Sequence, residues 1–233
     1  MRPSPAGGTL RPPIRIAVIG LGAIAQTAHL PVLSKMRGVQ IAALCDNDVS
    51  KARALAQRFG VPDTCSDIEE LLEVEALDAV VVATPNHLHE PHTLSALRKG
   101  LHVMCERPLA MTSRGVERIL ASAKRTGQRV FVANNHRFRS DVQAMQAFVQ
   151  GGELCKVLSV RAGAYHLKSC LAPWRTHRAE AGGGAFLEHG FPLLDLAAWI
   201  SDFPAPVRVT AVMARARGAN TVEDSLFTFV ECV

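Results

Sequence analysis

Five short apolar runs, each rich in branched side chains, constrain this chain more than any other feature. They are IRIAVIG (14–20), VQIAALCD (39–46), LDAVVVATP (77–85), LHVMCE (101–106) and RVFVAN (129–134). A strand that is apolar throughout has to be covered on both faces, which is the situation of a parallel sheet lying between two layers of helices. The intervening segments supply those helices. DVSKARALAQRFG ends in Gly60, SDIEELL opens with a capping box of Ser66 and Glu69, and TSRGVERILASAKRTG runs from a cap at Thr112 to Gly127. Strand and helix alternate with right-handed crossovers, so residues 14–135 are predicted to form an α/β domain with a doubly wound parallel sheet.

After HRFRSDVQAMQAFVQGG, a helix ended by Gly151, the pattern changes. KVLSVRAGAYH (156–166), VRVTAVMARARG (207–218) and DSLFTFVECV (224–233) partly alternate, as strands with one exposed face do, and PLLDLAAWI (192–200) reads as a helix among them. Residues 136–233 are therefore expected to form a second, smaller α+β domain with an open, mainly antiparallel sheet. Residues 1–13 read as a disordered, proline-rich tail.

Several classes of protein are excluded by what surrounds these elements. No apolar run approaches the roughly 18 residues that span a bilayer, and the first residues lack the apolar stretch of a signal peptide. The expectation is a cytoplasmic chain with no membrane contact. The six cysteines are scattered without a CxxC pair, and several fall in apolar runs, so buried free thiols are expected rather than disulfides or zinc ligands. The net charge of +5 is spread along the chain apart from HRFR (136–139), with no motif that reads nucleic acid.

The chemistry begins at GLGAIA, directly after the first strand. Gly20 permits the tight turn, Gly22 lets the backbone approach a pyrophosphate, and Ala25 keeps the following helix close to its strand. Asp46 closes the second strand at the distance where a carboxylate accepts hydrogen bonds from an adenosine ribose. The same negative charge would repel a 2′-phosphate, so NAD is expected in preference to NADP.

At ATPNHLHEPHTLSALRKGLHVMCERPLA (83–110), following GLGAIA, the chain resembles the Gfo/Idh/MocA oxidoreductases, and the resemblance continues through NHRFRSDVQAMQAFVQGG and GGGAFLEHGFPLLDLAAWI. It implies a Rossmann domain, a second domain whose sheet builds an oligomer, and hydride transfer between a nicotinamide and a sugar, polyol or related hydroxyl or carbonyl compound. It also implies that Thr84, Pro85 and Asn86 flank the cofactor, that Glu106 and Arg107 position nicotinamide and substrate, and that Trp174 and Arg175 lie near the substrate. Tyr165 and His166 could line a cleft at a strand end.

The departures from the family pattern fall on the catalytic positions. Glu106-Arg107-Pro108 stands where Glu-Lys-Pro is usual, and Arg107 keeps the charge but cannot exchange a proton usefully. Behind Gly182-Gly183-Gly184, the family's aspartate and histidine positions are Glu188 and Pro192. Proline presets the first turn of a helix, so the helix is expected to start near Pro192, with LEHG as a turn before it. In that turn Glu188 or His189 could face the cofactor and exchange the proton. A histidine suits that work near neutral pH. His87, His89 and His92 are read as helix-start polarity, and Asp195 as a structural hydrogen-bonding group. The last strand, SLFTFVECV, is expected to leave an unpaired edge that recruits a second copy. Two readings stay open: an NAD-dependent oxidoreductase, and a dinucleotide- or sugar-nucleotide-binding protein that has lost its proton relay.

Overall fold

Side chains along the first strands are shut off from water, as their unbroken apolar sequence requires: Ala17, Val18, Ala42, Ala43, Leu44, Val80 and Val82 are fully buried. The computed structural model describes residues 12–152, 154, 157–165, 172–215 and 221–233. These fall into two compact units. The first comprises the chain up to Thr84 together with Leu88–Glu106 and Thr112–Phe131, and the second comprises Pro85–His87, Arg107–Met111 and Val132–Val233.

In the first unit β1 (Ile14–Ile19) leads through a π-helical turn, Ala25–His29, into α1 (Leu30–Leu33). Then come β2 (Val39–Cys45), α2 (Val49–Phe59), β3 (Asp63–Cys65), α3 (Ile68–Leu71), β4 (Ala79–Val82), α4 (Asn86–Arg98), β5 (His102–Cys105), α5 (Ser113–Thr126) and β6 (Val130–Val132). The sheet order is β3-β2-β1-β4-β5-β6. β1 pairs in parallel with β2 and β4, as do β2 with β3 and β4 with β5. Strand order reverses at β1, and the crevice beyond the carboxyl ends of strands at such a switch point is where open α/β sheets take their ligands.

The expected strands are present, and β3 is added to them. It is three residues long, too short to produce a hydropathy pattern, and exists because Ala43, Leu44 and Cys45 offer a pairing edge. Helix ends follow local chemistry. Asp48 accepts from the Lys51 amide at the start of α2, and Gly60 ends it at φ 67°. Thr112 accepts from the Gly115 amide at the start of α5. The expected Ser66–Glu69 box is displaced by one residue. The Asp67 carboxylate takes the Glu70 amide, and the Glu70 carboxylate reaches back to the Ser66 amide at 2.7 Å. Ionised oxygens on both sides make the stronger pair of caps. One apolar layer of the sheet joins Val18, Leu21, Leu30, Leu44, Leu55 and Val81, with Ile16, Leu33 and Phe59 at its margin. Burying one such side chain contributes about 1.5–3 kcal/mol.

The second unit contains α6 (Ser140–Gln150), a 3-10 turn at Pro173–Thr176, α7 (Arg178–Ala181), a π-helical turn at Phe186–Gly190 continuous with α8 (Phe191–Ile200), and the antiparallel pair β7 (Pro206–Ala214) and β8 (Ser225–Cys232). The strand expected at 156–166 is not formed over its described part: residues 157–165 join no ladder, and Leu158 and Tyr165 are exposed. Apolar character alone makes no strand, because the backbone groups need a partner edge. His166, Cys155, Cys170 and most of the expected tail lie outside the described residues. No helix among the described residues is long and apolar enough to cross a membrane.

Cys45, Cys65 and Cys105 are buried free thiols, whereas Cys232 is exposed. Burial, helped by neighbouring acids, pushes the Cys65 thiol up to about 11, and burial pushes Cys105 up to about 12. Reactivity follows the thiolate. In native protein at pH 8 an aromatic disulfide reagent should therefore label Cys232 and spare these three, which should react only after denaturation. Peptide mass mapping reads the difference.

Candidate active site

In the first unit the glycine-rich loop is held by a small set of bonds. Gly20 adopts φ 88°, and a Cβ there would lie 2.5 Å from the backbone of Ala83, so only glycine fits. The Leu21 amide donates to Asp46 Oδ2 at 2.8 Å, and Gln26 Nε2 donates to the Leu21 carbonyl at 2.8 Å. Together these fix the loop between β1 and β2. At Gly22 nothing lies within 4 Å of where a Cβ would be. That open space in front of the backbone is what close approach of a pyrophosphate requires. Ala25 is fully buried.

Asp46 is 9% exposed. Its Oδ1 accepts from the Asp48 amide and from Lys51 Nζ, both at 2.9 Å. Burial raises the carboxyl's pKa, but the Lys51 hydrogen bond and the amides of Asp48 and Leu21 outweigh it, and the net shift is downward. Glu106, at the end of β5, meets His29 Nε2 at 2.8 Å. Thr84 is fixed twice: its carbonyl accepts from His89 Nε2 at 2.8 Å, and its hydroxyl lies 3.3 Å from His92 Nδ1. His89, 1% exposed, is thus a buried tie for the turn after β4 rather than surface polarity at a helix start.

In the second unit Asn86 Nδ2 donates to the Ala181 carbonyl at 2.8 Å, and His87 Nδ1 lies 3.3 Å from the Glu180 carbonyl. Both hold the end of α7, which leads into Gly182-Gly183-Gly184. Glu223 then fixes the glycines. Its Oε1 accepts from the amides of Gly184 and Phe186, and its carbonyl accepts from Ala185. A Cβ on Gly184 would lie 1.9 Å from that carbonyl oxygen. Sequence reasoning missed Glu223, because it caps a helix from about forty positions away and no local spacing reveals it.

The α-helix begins at Phe191, one residue before Pro192, but the turn before it is itself helical. Ala185 and Gly190 are already in the right-handed helical region, and Phe186–Gly190 form a π-helical turn in which the Phe191 amide donates five residues back, to the Phe186 carbonyl. By the same spacing the Leu187 carbonyl would be served by residue 192, which as proline has no N–H. Arg107 Nη1 serves it instead, at 3.1 Å. The wide turn and the arginine together accommodate a proline inside a helix. Glu188 pairs with Arg175 at 3.1 Å, and the Arg175 guanidinium lies 4.6 Å from the centre of the Trp174 ring. His189 lines the groove between α8 and the sheet, with Leu193, Ala197 and Val230. A separate crevice is lined by Arg107, Asn134, Asn135, His136, Pro192 and Asp195. Asp195 is gripped by both Nε and Nη2 of Arg137 and approached by Asn134 Nδ2 at 3.4 Å.

This arrangement matches known proteins over nearly the whole chain. Residues 14–134 match the model of the oxidoreductase family with an NAD-binding Rossmann fold, and residues 142–232 match the GFO/IDH/MocA C-terminal domain. The chain belongs to the GFO/IDH/MocA oxidoreductase family. It is 33% identical to D-glucoside 3-dehydrogenase of Escherichia coli (strain K12), an alignment covering 94% of this chain and 67% of that protein. To 1,5-anhydro-D-fructose reductase of Ensifer adhaerens it is 32% identical, over 75% of this chain and 52% of the relative. The crystal structure of GenD2 from gentamicin A biosynthesis, in complex with NAD, superposes with a TM-score of 0.85 at 26% identity, over 99% of this chain and 66% of that one. The chain thus spans about half to two thirds of the length of these GFO/IDH/MocA proteins.

The low folded-state pKa of Asp46 sets a pH dependence. Its carboxylate stabilises the fold fully above the ordinary aspartate value, and that contribution is lost as pH falls through the lower folded value. Urea midpoints should accordingly drop below about pH 4, and Asp46→Asn should be less stable at neutral pH yet show a shallower acid-side loss.

Proposed function

We propose that this chain is an NAD-dependent oxidoreductase that transfers hydride between the nicotinamide and a sugar, polyol or related hydroxy compound. The observation that carries the reading is the glycine-rich loop: a left-handed Gly20 with no room for a side chain, open space at Gly22, and a buried Asp46 clamping the Leu21 amide. These residues fit a dinucleotide. The names of the relatives, a glucoside dehydrogenase and an anhydrofructose reductase, support the substrate class.

Within this reading Gly20, Gly22 and Ala25 shape the loop for the pyrophosphate, Asp46 faces the adenosine ribose, and Thr84, Pro85 and Asn86 flank the cofactor. When bound, the nicotinamide supplies the site for hydride. Arg107, anchored on the Leu187 carbonyl through Nη1, brings a fixed positive charge that would orient a substrate oxygen. Glu106, held by His29, fixes the strand end from which Arg107 departs. Glu188 is drawn to Arg175, which places a cation beside the carboxylate first expected to take the proton. The buried free thiols support a reducing compartment, the cytoplasm.

The second reading, a dinucleotide-binding protein without turnover, is separated from the first by assay. NADH should bind and quench or shift fluorescence, more tightly than NADPH, because the Asp46 charge opposes a 2′-phosphate. Lys51 partly offsets that charge, so Lys51→Met should widen the preference by about tenfold, the scale of a like-charge penalty of about 1.4 kcal/mol. Equal affinity for both cofactors in the variant would refute the role of Asp46. Turnover of polyols or glycosides by the wild-type chain decides between enzyme and binder.

We further propose that the chain forms a homo-oligomer through its antiparallel sheet. Val212, Phe227 and Phe229 share one sheet face, with Val212 and Phe227 directly opposite, and are 67%, 72% and 56% exposed. A protein rarely leaves such a patch in water. Light scattering should show a dimer or larger species, and Phe227→Glu with Phe229→Glu should yield a monomer.

A further inference from the structure

A dinucleotide lies across the crevice of a doubly wound sheet with one nucleotide over each half. Asp46 follows β2 on one half, and β4 and β5 belong to the other. Glu106 follows β5 directly, and its amide continues the sheet by donating to the Val82 carbonyl at 2.9 Å. Ala83, the residue after Val82, is the one whose backbone crowds Gly20. The carboxylate of Glu106 thus stands at the carboxyl end of the sheet, with one strand, β4, between its own strand and the strand that carries the glycine-rich loop.

Its partner comes from the helical segment that follows the loop. His29 Nε2 meets Glu106 Oε1 at 2.8 Å, and the two side chains are 11% and 20% exposed, so solvent screens the pair little. A π-helical turn, Ala25–His29, carries the imidazole. In it the Leu30 amide donates five residues back, to the Ala25 carbonyl, and Pro31 follows with no N–H of its own. Single wide turns of this kind recur at functional sites. The pair has two charge states. With a neutral imidazole it carries the one negative charge of the carboxylate, and with an imidazolium it carries none. The other titratable groups recorded at this end of the unit are His89 and His92 of α4, both held against Thr84, and Cys105, which burial keeps as a neutral thiol. Asp46 and Lys51 pair beyond the end of β2, on the other half.

We propose, resting on the oxidoreductase reading, that the His29–Glu106 pair determines which redox form of the cofactor this site prefers. The oxidised nicotinamide ring carries a positive charge and the reduced ring carries none. With the adenosine ribose at Asp46, the nicotinamide falls to the half of the crevice that holds Glu106. A carboxylate there favours NAD over NADH, and an imidazolium bound to that carboxylate cancels the preference. Glu106 is the specificity-determining group, and His29 is the residue that positions it and sets the net charge. Protonation of His29 and binding of the oxidised form oppose each other, which fixes the sign. Raising the pH through the histidine range strengthens NAD relative to NADH.

The test uses the full chain. Dissociation constants for NADH, by fluorescence, and for NAD, by displacement of NADH, are measured between about pH 6 and about pH 9 in wild type, H29Q and E106Q. In wild type the ratio of the NADH constant to the NAD constant should rise about tenfold across that range, the scale of one charge pair. H29Q keeps an N–H donor for Glu106 but holds no titrating proton, so its ratio should stay at the alkaline wild-type value at every pH. E106Q should lower the alkaline ratio about tenfold, because NAD loses a charge partner that NADH never had. A flat wild-type ratio would overturn the proposal, as would H29Q with the wild-type slope. The same holds if E106Q leaves the alkaline ratio unchanged, which is what a merely structural role gives. Should a substitution unfold the chain, wild type decides alone through its protons. Replacing bound NAD by NADH at about pH 7 should be accompanied by proton uptake, read by calorimetry in buffers of different ionisation enthalpy, and no uptake overturns the proposal. If neither cofactor binds, the oxidoreductase reading falls and the proposal with it. If both bind and no polyol or glycoside turns over, the oxidoreductase reading falls while the ratio still decides the role of the pair.

Discussion

The bond from the Leu21 amide to the carboxylate of Asp46 is the constraint on which the first unit turns. It joins the loop after β1 to the end of β2 across the parallel sheet, inside an apolar layer where an unpaired ion would cost several kcal/mol. Three donors, the amides of Leu21 and Asp48 and the ammonium of Lys51, make burial of that charge tolerable. The geometry of the loop follows from the same bond. With Leu21 held inward and its carbonyl taken by Gln26, the backbone at Gly22 faces open space. A buried carboxylate thus holds in place the loop proposed to take the cofactor.

What could be read directly from the residues was what local chemistry decides. Strands β1, β2, β4 and β5 are written in unbroken apolar runs, and α2 and α5 in caps and terminal glycines that act over three or four positions. The loop residues Gly20, Gly22 and Asp46 were legible for the same reason, since their spacing is itself the signal. Glu223 was not. It gains its role from Gly184 and Phe186, brought near only by folding, and in the sequence it looks like an ordinary polar residue. The strand β3 was hidden by its brevity, and the helical turn ahead of α8 reads as a plain turn because proline is an ordinary residue at a helix start. Nothing local announced that a wider turn would come before it.

Arg107 and Pro192, at the positions where the resemblance implies lysine and histidine, meet at one backbone carbonyl, that of Leu187. Proline removes the donor that would have served the Leu187 carbonyl, and the guanidinium of Arg107 supplies one. A reversion of Arg107 alone would therefore test the helix as much as the chemistry.

The π-helical turn at Phe186–Gly190 also changes how residue numbers translate into direction. A turn closed by an i→i+5 bond holds one residue more than a turn closed by i→i+4, so the helix is dephased there like a screw thread with a skipped pitch. Side chains within the turn, Glu188 among them, no longer stand in line with those four and seven positions later, Pro192 and Asp195. Deleting or inserting a single residue in this stretch would rotate everything before it about the helix axis while leaving α8 in place. The segment behaves as a selector: its residue count, rather than its composition, decides which side chain is presented beside Arg107.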